Sequence, residues 1–466
     1  MRQIIAIARL TLKAAFRFRL VVLMAVLLLG AVVCLPLIVK DDGTAQGFTQ
    51  IMLTYTLGAI TALLGFSTLW MACGTLAREV EECQVQMLVV KPVGRWQIWL
   101  GKWLGILMFD LLLLAISGTA VFLLLQYRAR KLPPDEQTTL RNKVLLARGS
   151  AREEKKDLEP WIEQVYQERI KNSPVTGFDR TQLRKQLAEA VKSEFQLVQS
   201  GYARRWEIDL SRVKDFLRDR PLYVRTKFMT AEQNKPSSGL FGPPTFRAVW
   251  QVGPPETARV WRQQMSLASE TYHEFEIPPN LLDDRGILTI EFVNLNEASL
   301  LFQLEDGMEV LYWEGGFAFN YVRGLGIIFC WLAVLAALGL AAASFLSFPV
   351  ASFLALGVLI IGLSSGTLSQ VVAQGAVWGV DPNTGMVDQP KLVDRVMVPM
   401  FGALLKVVNL VQGFSPITSL SSGRSITWLQ LGQAFVQIVL VLGGLFGAVG
   451  ILCFTKRELA TAQGNQ

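Results

Sequence analysis

The residue of this 466-residue chain whose position first suggests chemistry is Asp110, a carboxyl in the middle of the apolar run from about Trp103 to Leu125. Facing lipid it would cost about 2.5 to 3.5 kcal/mol, so it must face protein or water. Two readings stay open, a proton-relay site or a structural hydrogen bond to Thr54, Tyr55 or Thr61. No second acid lies buried in another apolar run, which weakens the relay. His273 is the one histidine, and no nucleophile-elbow sequence accompanies it to complete a catalytic triad. The stretch from Gly94 to Lys102 approaches a phosphate-binding loop but has six residues between its glycines instead of four, and Trp103 where Ser or Thr should hold magnesium. Of the five cysteines, Cys34, Cys73, Cys330 and Cys453 sit in apolar runs and Cys83 in a charged segment, with no zinc spacing or disulfide framework. The chain therefore offers no catalytic residue, no cofactor-binding residue and no metal ligand set.

The elements that position Asp110 begin with the charged segment before it, Leu76 to Trp103. Leu76, Val80, Cys83, Met87 and Val90 are spaced by four, three, four and three, which predicts one apolar helical face. Arg78, Glu79, Glu81, Glu82 and Gln86 occupy the rest. Pro92 pushes Lys91 away from helical angles, so this helix should end there, with Gly94 helping the turn. A second helix then starts near Arg95. Trp96, Trp99, Lys102 and Trp103 are expected to anchor it at a membrane interface, where aromatic and basic residues gather.

LAREVEECQVQMLVVKPVGRWQIWLGKWLG resembles the signature of the type-2 ATP-binding-cassette transporter permeases, an acidic "ARE" segment leading to "LL..KPV.R..I..GK.LG". The matching residues are Ala77, Arg78, Glu79, Lys91, Pro92, Val93, Arg95, Ile98, Gly101, Lys102 and Gly105. The chain departs from the family at Cys83-Gln84, where members often carry Gly-Thr. The segment PMFGALLKVVNLVQGFSPITSLSSGRSITW is similar to the weaker block before the last helix of those permeases. The resemblance implies a coupling segment that docks on a separate ATPase, with Arg78, Glu79, Glu81 and Glu82 in contact and Lys91, Pro92 and Arg95 holding its geometry.

At 51% hydrophobic and 18% charged residues, with a mean hydropathy of +0.36, the chain is too apolar for a soluble protein and too charged to be membrane throughout. The charge of +7 is spread along the chain beside apolar runs, which fits membrane topology and argues against nucleic acid. Six spans are expected, with both termini cytosolic. Residues 1–125 give a basic interfacial helix (Met1 to Arg19), spans at Leu20 to Val39, Ile51 to Gly74 and Trp103 to Leu125, and the coupling segment 76–102. Residues 323–466 give spans at Gly324 to Phe345, Val350 to Leu368 and Ala434 to Phe454, with an external interfacial or re-entrant stretch over 378–428. Gly362 and Gly366 have the GxxxG spacing that permits close helix packing.

Between them, residues 126–322 read as an extracytoplasmic α+β domain. Helices are expected over 135–199, broken near Pro174 to Gly177, and a β-sandwich over 203–320. Its period-two strands are Pro221 to Met229, Thr245 to Val252, Thr257 to Ser266, Thr271 to Ile277, Ile287 to Leu295, Leu300 to Leu304 and Glu309 to Trp313. The aromatics Tyr223, Phe228, Trp250, Trp261, Tyr272 and Tyr312 are read mainly as core, with a stacking platform as the rival.

The fold class expected is thus a polytopic α-helical membrane domain resembling the type-2 permeases, with an extracytoplasmic helical hairpin and β-sandwich. The resemblance implies a half-transporter of the bacterial cytoplasmic membrane, joined to a second permease chain, identical or related, and to two copies of an ATPase that binds ATP and magnesium. An envelope protein or a glycan is a candidate ligand of the external domain. The rivals are a proton-coupled secondary transporter using Asp110, and a non-transporting protein that passes motion between an ATPase and its external domain.

Overall fold

The computed structural model describes residues 2–16, 19–38, 44–82, 93–140, 144–154, 156–172, 180–230, 245–254, 259–375, 377 and 392–457. The chain forms two compact units, one made of Met1–Ala147 with Gly315–Gln466 and the other of Arg148–Glu314.

The first unit is helical. Its elements before the inserted unit are α1 (Arg2–Ala15), α2 (Arg19–Ile38), α3 (Ala45–Glu81) and α4 (Arg95–Ala129). Four helices are long and apolar enough to cross a membrane: Gly47–Glu81 within α3, Arg95–Ala129, Phe317–Ala343 and Trp428–Lys456. A fifth crossing arises only if Phe348–Gly362 and Gly366–Val372, bent by 71° at their break, act as one span. Six spans are thus not all present among the described residues. The first expected span falls in α2, the 20-residue apolar helix Arg19–Ile38, of which Leu23–Val32 forms a shorter apolar helix among the described residues. The fifth is interrupted at Ser364, whose N–H closes the preceding helix onto Ile360 O and Ile361 O.

Local sequence accounts for the helix starts. The Thr44 hydroxyl accepts the Gly47 N–H at 3.0 Å at the head of α3. Thr427 and Gln430 exchange side-chain and backbone bonds at 3.1 Å before Trp428, a capping box. At 37 residues, α3 is roughly 55 Å long, well beyond the ~30 Å hydrocarbon core, so its last turns project from any bilayer it crosses.

The second unit is β-rich. In chain order it contains β1 (Leu146–Ala151), the helix pair α5 (Glu159–Asn172) and α6 (Arg180–Gln196), then β2 (Leu197–Val198) and β3 (Ala203–Asp209). There follow β4 (Leu222–Thr226), β5 (Met229–Thr230), β6 (Thr245–Val252), β7 (Trp261–Ala268), β8 (His273–Ile277), β9 (Ile287–Asn294), β10 (Leu300–Leu301) and β11 (Met308–Gly316). The strands form sheets in the orders β1-β11-β4-β8, β2-β10-β5 and β3-β9-β6-β7. Alternate residues of all three sheets meet in one core around Trp206, Val224, Trp250, Phe292, Phe302 and Val310, as period-two strands require. Each expected strand is found at its place, though several are shorter. β1, β2 and β3 were missed: LARGSA lacks an apolar alternation and β2 is two residues long, whereas β3 does alternate, Trp206 and Ile208 between Arg205, Glu207 and Asp209, a signal that could have found it. The compact unit starts at Arg148 and not at 126, since α4 continues to Ala129 and Leu140 packs under Leu132, Val144 and Leu145.

After this unit come α7 (Phe317–Ala343), α8 (Phe348–Leu363), α9 (Ser365–Gln374), α10 (Leu392–Gln412) and α11 (Trp428–Lys456), the last with a π-helical stretch over Phe435–Gly443. α10 runs unbroken through Pro399 and Gly402. Residues 378–391 of the expected external stretch lie outside the described residues.

Candidate functional site

The last turns of α3 carry the acidic segment. Leu76 and Ala77 are fully buried, so the helix leaves the bundle still packed and does not restart as a separate element. The residues Leu76–Glu81 expected to open a coupling helix are therefore the end of α3. Its expected continuation, with Cys83, Met87, Val90, Lys91 and Pro92, lies outside the described residues.

Three charges on this helix end, Arg78, Glu79 and Glu81, hold other helices. The Arg78 guanidinium lies 4.1 Å from the centre of the Phe348 ring, a cation–π contact. Glu81 Oε1 accepts the Phe348 N–H at 2.8 Å, satisfying an orphan donor at the start of α8, where the helix dipole favours negative charge. Glu79 Oε1 lies 2.6 Å from Lys102 Nζ, and Lys102 also donates to Thr75 O at 3.0 Å. Glu82 closes α3 through its N–H to Arg78 O, 2.8 Å, and its side chain is exposed.

Arg95 does the corresponding work at the start of α4. Its Nη1 donates to the carbonyls of Phe454 (2.9 Å), Thr455 (2.7 Å) and Arg457 (2.9 Å), the unsatisfied acceptors at the end of α11. Arg457 Nη1 in turn reaches Ala343 O and Ser344 O, both 3.3 Å, at the end of α7. One connected set of side chains thus joins the ends of α3, α4, α7, α8 and α11.

The expected interface anchors divide. Trp96 is exposed, but Trp99 and Lys102 are each only 2% exposed. A Cβ on Gly450 would meet Trp99 Nε1 at 2.8 Å, so the indole fills a notch in α11. Trp103 Nε1 donates to Ala333 O at 3.0 Å. These are packing residues because the face of α4 that carries them turns toward α7 and α11. The small residues that permit close approach are Gly101 and Gly105, where an added Cβ would meet Ile7 Cβ at 2.7 Å and Ala8 O at 2.6 Å. They form a seat for α1, which is therefore held against α4. Gly362 and Gly366, expected to pack closely, have nothing within 4 Å.

Asp110 lies along the same seam between α3 and α4. It is 1% exposed, and its Oδ1 accepts a hydrogen bond from Thr68 Oγ1 at 2.9 Å. None of Thr54, Tyr55 and Thr61 is that partner, and Tyr55 is exposed. The two helices run antiparallel, so eight residues along α4 and seven along α3 set the Lys102–Thr75 and Asp110–Thr68 pairs roughly 12 Å apart. Asp110 Oδ2, Ser67 Oγ and Thr61 Oγ1 are buried with no hydrogen-bond partner among the described residues. Thr68 and Thr75 were missed in the sequence; seven residues apart on one apolar helix face is the signal that could have found them.

In the second unit, His273 meets Ala268 O at 2.8 Å and lies over Phe228, a structural setting. Phe228 and Trp250 are core, Trp261 and Tyr312 pack against it, and Tyr272 is exposed. A cleft of about 490 Å³ opens beside Tyr202, Ala203, Arg204 and Arg205. There the Arg204 guanidinium lies over Trp206, and burial pulls its pKa below the ordinary arginine range. Compared with family models, with characterised proteins and with solved structures, the chain returns no match.

Proposed function

We propose that the chain is the membrane permease subunit of an ATP-binding-cassette transporter, exporting a substrate across a bacterial cytoplasmic membrane. It would pair with a second permease chain and with two copies of a separate ATPase holding ATP and magnesium. The observation that carries the reading is that residues of the permease-like signature tie helix ends together. Arg78 and Glu81 engage α8, Glu79 engages α4, and Arg95 engages α11. A push on this helix end moves several spans as one body, which is what a rigid-body switch needs. Contact with the ATPase falls to the exposed Glu82 and the exposed side of Glu81, since Glu79 is committed to Lys102.

The test is a pull-down of the tagged chain from solubilised native membranes, with Glu82→Lys alongside. A stoichiometric ATPase, lost in Glu82→Lys while membrane insertion persists, is the expected result. Recovery of the chain alone, under conditions that preserve other such complexes, would sink the reading.

A second reading, proton-coupled transport, draws on the buried Asp110 oxygen with no partner. It requires that Asp110→Asn abolish proton flux in vesicles.

A further inference from the structure

β3 is the outermost strand of its sheet, with β9 as its one strand neighbour among the described residues. The pairing runs from Ala203 opposite Val293 to Asp209 opposite Ile287. Its phase is set at both ends by Asn294 N–H to Tyr202 O, 3.1 Å, and Leu210 N–H to Gly286 O, 2.9 Å. In an antiparallel ladder hydrogen-bonded pairs alternate, so the even-numbered residues bond to β9. The N–H and C=O groups of Ala203, Arg205 and Glu207 point away from the sheet. The side chains of Ala203, Arg205, Glu207 and Asp209 are exposed, while Trp206 and Ile208 anchor the strand in the core. A seven-residue strand with an open row of donors and acceptors is a template for another strand.

We propose that a second copy of this chain occupies the edge, β3 against β3, antiparallel about a two-fold axis at Trp206. The occupant is argued from the charges of the strand itself. An axis at Trp206 sets Arg205 opposite the partner's Glu207, and by symmetry Glu207 opposite the partner's Arg205. Ala203 then faces the partner's Asp209. Moving the axis to Arg205 or to Glu207 puts like charges opposite each other, which destabilises a pair. Moving it between residues sets outward-facing groups against inward-facing ones and breaks the hydrogen-bond phase. Of the three registers centred on the middle of the strand, the one at Trp206 satisfies both charge and backbone, as an isologous contact requires. Arg205 already stands 3.6 Å from Glu291 across the sheet, so the partner's Glu207 extends a row of alternating charge. Hydrogen bonds from Ser211, side chain first and then backbone, hold the Asp209 carboxyl below its ordinary range, and it stays ionised at neutral pH.

The test uses two differently tagged full-length chains, co-expressed and kept in their membranes, one with Arg205→Cys and the other with Glu207→Cys. A short bis-methanethiosulfonate should link them at least tenfold more than a pair in which both chains carry Arg205→Cys. The native cysteines lie outside the β-rich unit, and the unsubstituted chain sets the background. With reporters at Ala203→Cys and Asp209→Cys, Arg205→Glu in both chains should cut the linked product roughly tenfold, and adding Glu207→Arg should restore it. Equal yields in every register, no product, no restoration, or a link to a different protein would each overturn the proposal. The ATPase pull-down is read separately, so either idea can fail without the other.

Discussion

Glu79 Oε1 and Lys102 Nζ lie 2.6 Å apart, with Lys102 2% exposed and Glu79 27% exposed. The pair is asymmetric: solvent reaches the acid but not the base. Removing the acid leaves a charge buried, whereas removing the base leaves one that water can hydrate. Glu79→Ala should therefore destabilise the protein by about 3 to 5 kcal/mol, and Lys102→Met, which keeps the volume, by about 1 kcal/mol. Thermal unfolding of the purified protein in detergent checks the order, and equal losses would show that the pair does not depend on burial.

At Asp110 the structural role predicts its own ranking. Thr68→Val leaves the carboxyl with neither oxygen bonded and should cost about 1 to 3 kcal/mol. Asp110→Asn keeps an acceptor for the Thr68 hydroxyl and should cost less. Asp110→Leu should come close to neutral, because the hydroxyl can turn to a carbonyl of its own helix. The same unfolding measurement decides this, and a large loss in Asp110→Leu would contradict it.

Gly105 and Gly362 make a matched pair. An alanine at 105 drives its Cβ into the Ala8 carbonyl, 2.6 Å away, and should cost about 1 to 3 kcal/mol by overpacking. An alanine at 362 meets nothing within 4 Å and should be neutral or slightly stabilising, since alanine is the better helix former. Protease access to α1 should rise in the first variant alone.

Arg95 offers a distinction between charge and shape. Arg95→Lys keeps the positive charge that favours a helix C-terminus but ends in a compact, more strongly hydrated ammonium on a flexible stem in place of the guanidinium whose Nη1 meets three carbonyls. Arg95→Ala loses both. Fraying of the end of α11 should expose the neighbouring Cys453, so alkylation of that thiol should quicken in the order Arg, Lys, Ala. Identical rates for the three would remove Arg95 from its capping role.

Much of the architecture was legible in the sequence because it depends on near neighbours. Apolar runs longer than a bilayer needs predicted α3, α4, α7 and α11, and period-two alternation predicted β4, β6, β8 and β9. The charged end of α3 was also visible, although its apolar spacing alone could not say whether Leu76–Glu81 began a helix or ended one. Strands of low contrast such as β1 escaped, since small and charged residues carry no period.

The sequence by itself determined which segments are helical, which alternate as strands, and that Asp110 is shielded from lipid. Only the tertiary structure decided the partners: Thr68 for Asp110, Glu79 for Lys102, and the end of α11 for Arg95. Only it showed Gly101 and Gly105 seating α1. Helical period fixes which residues share a face, but the crossing and the axial offset of two helices choose which face, and which turn of it, meets a partner distant in sequence.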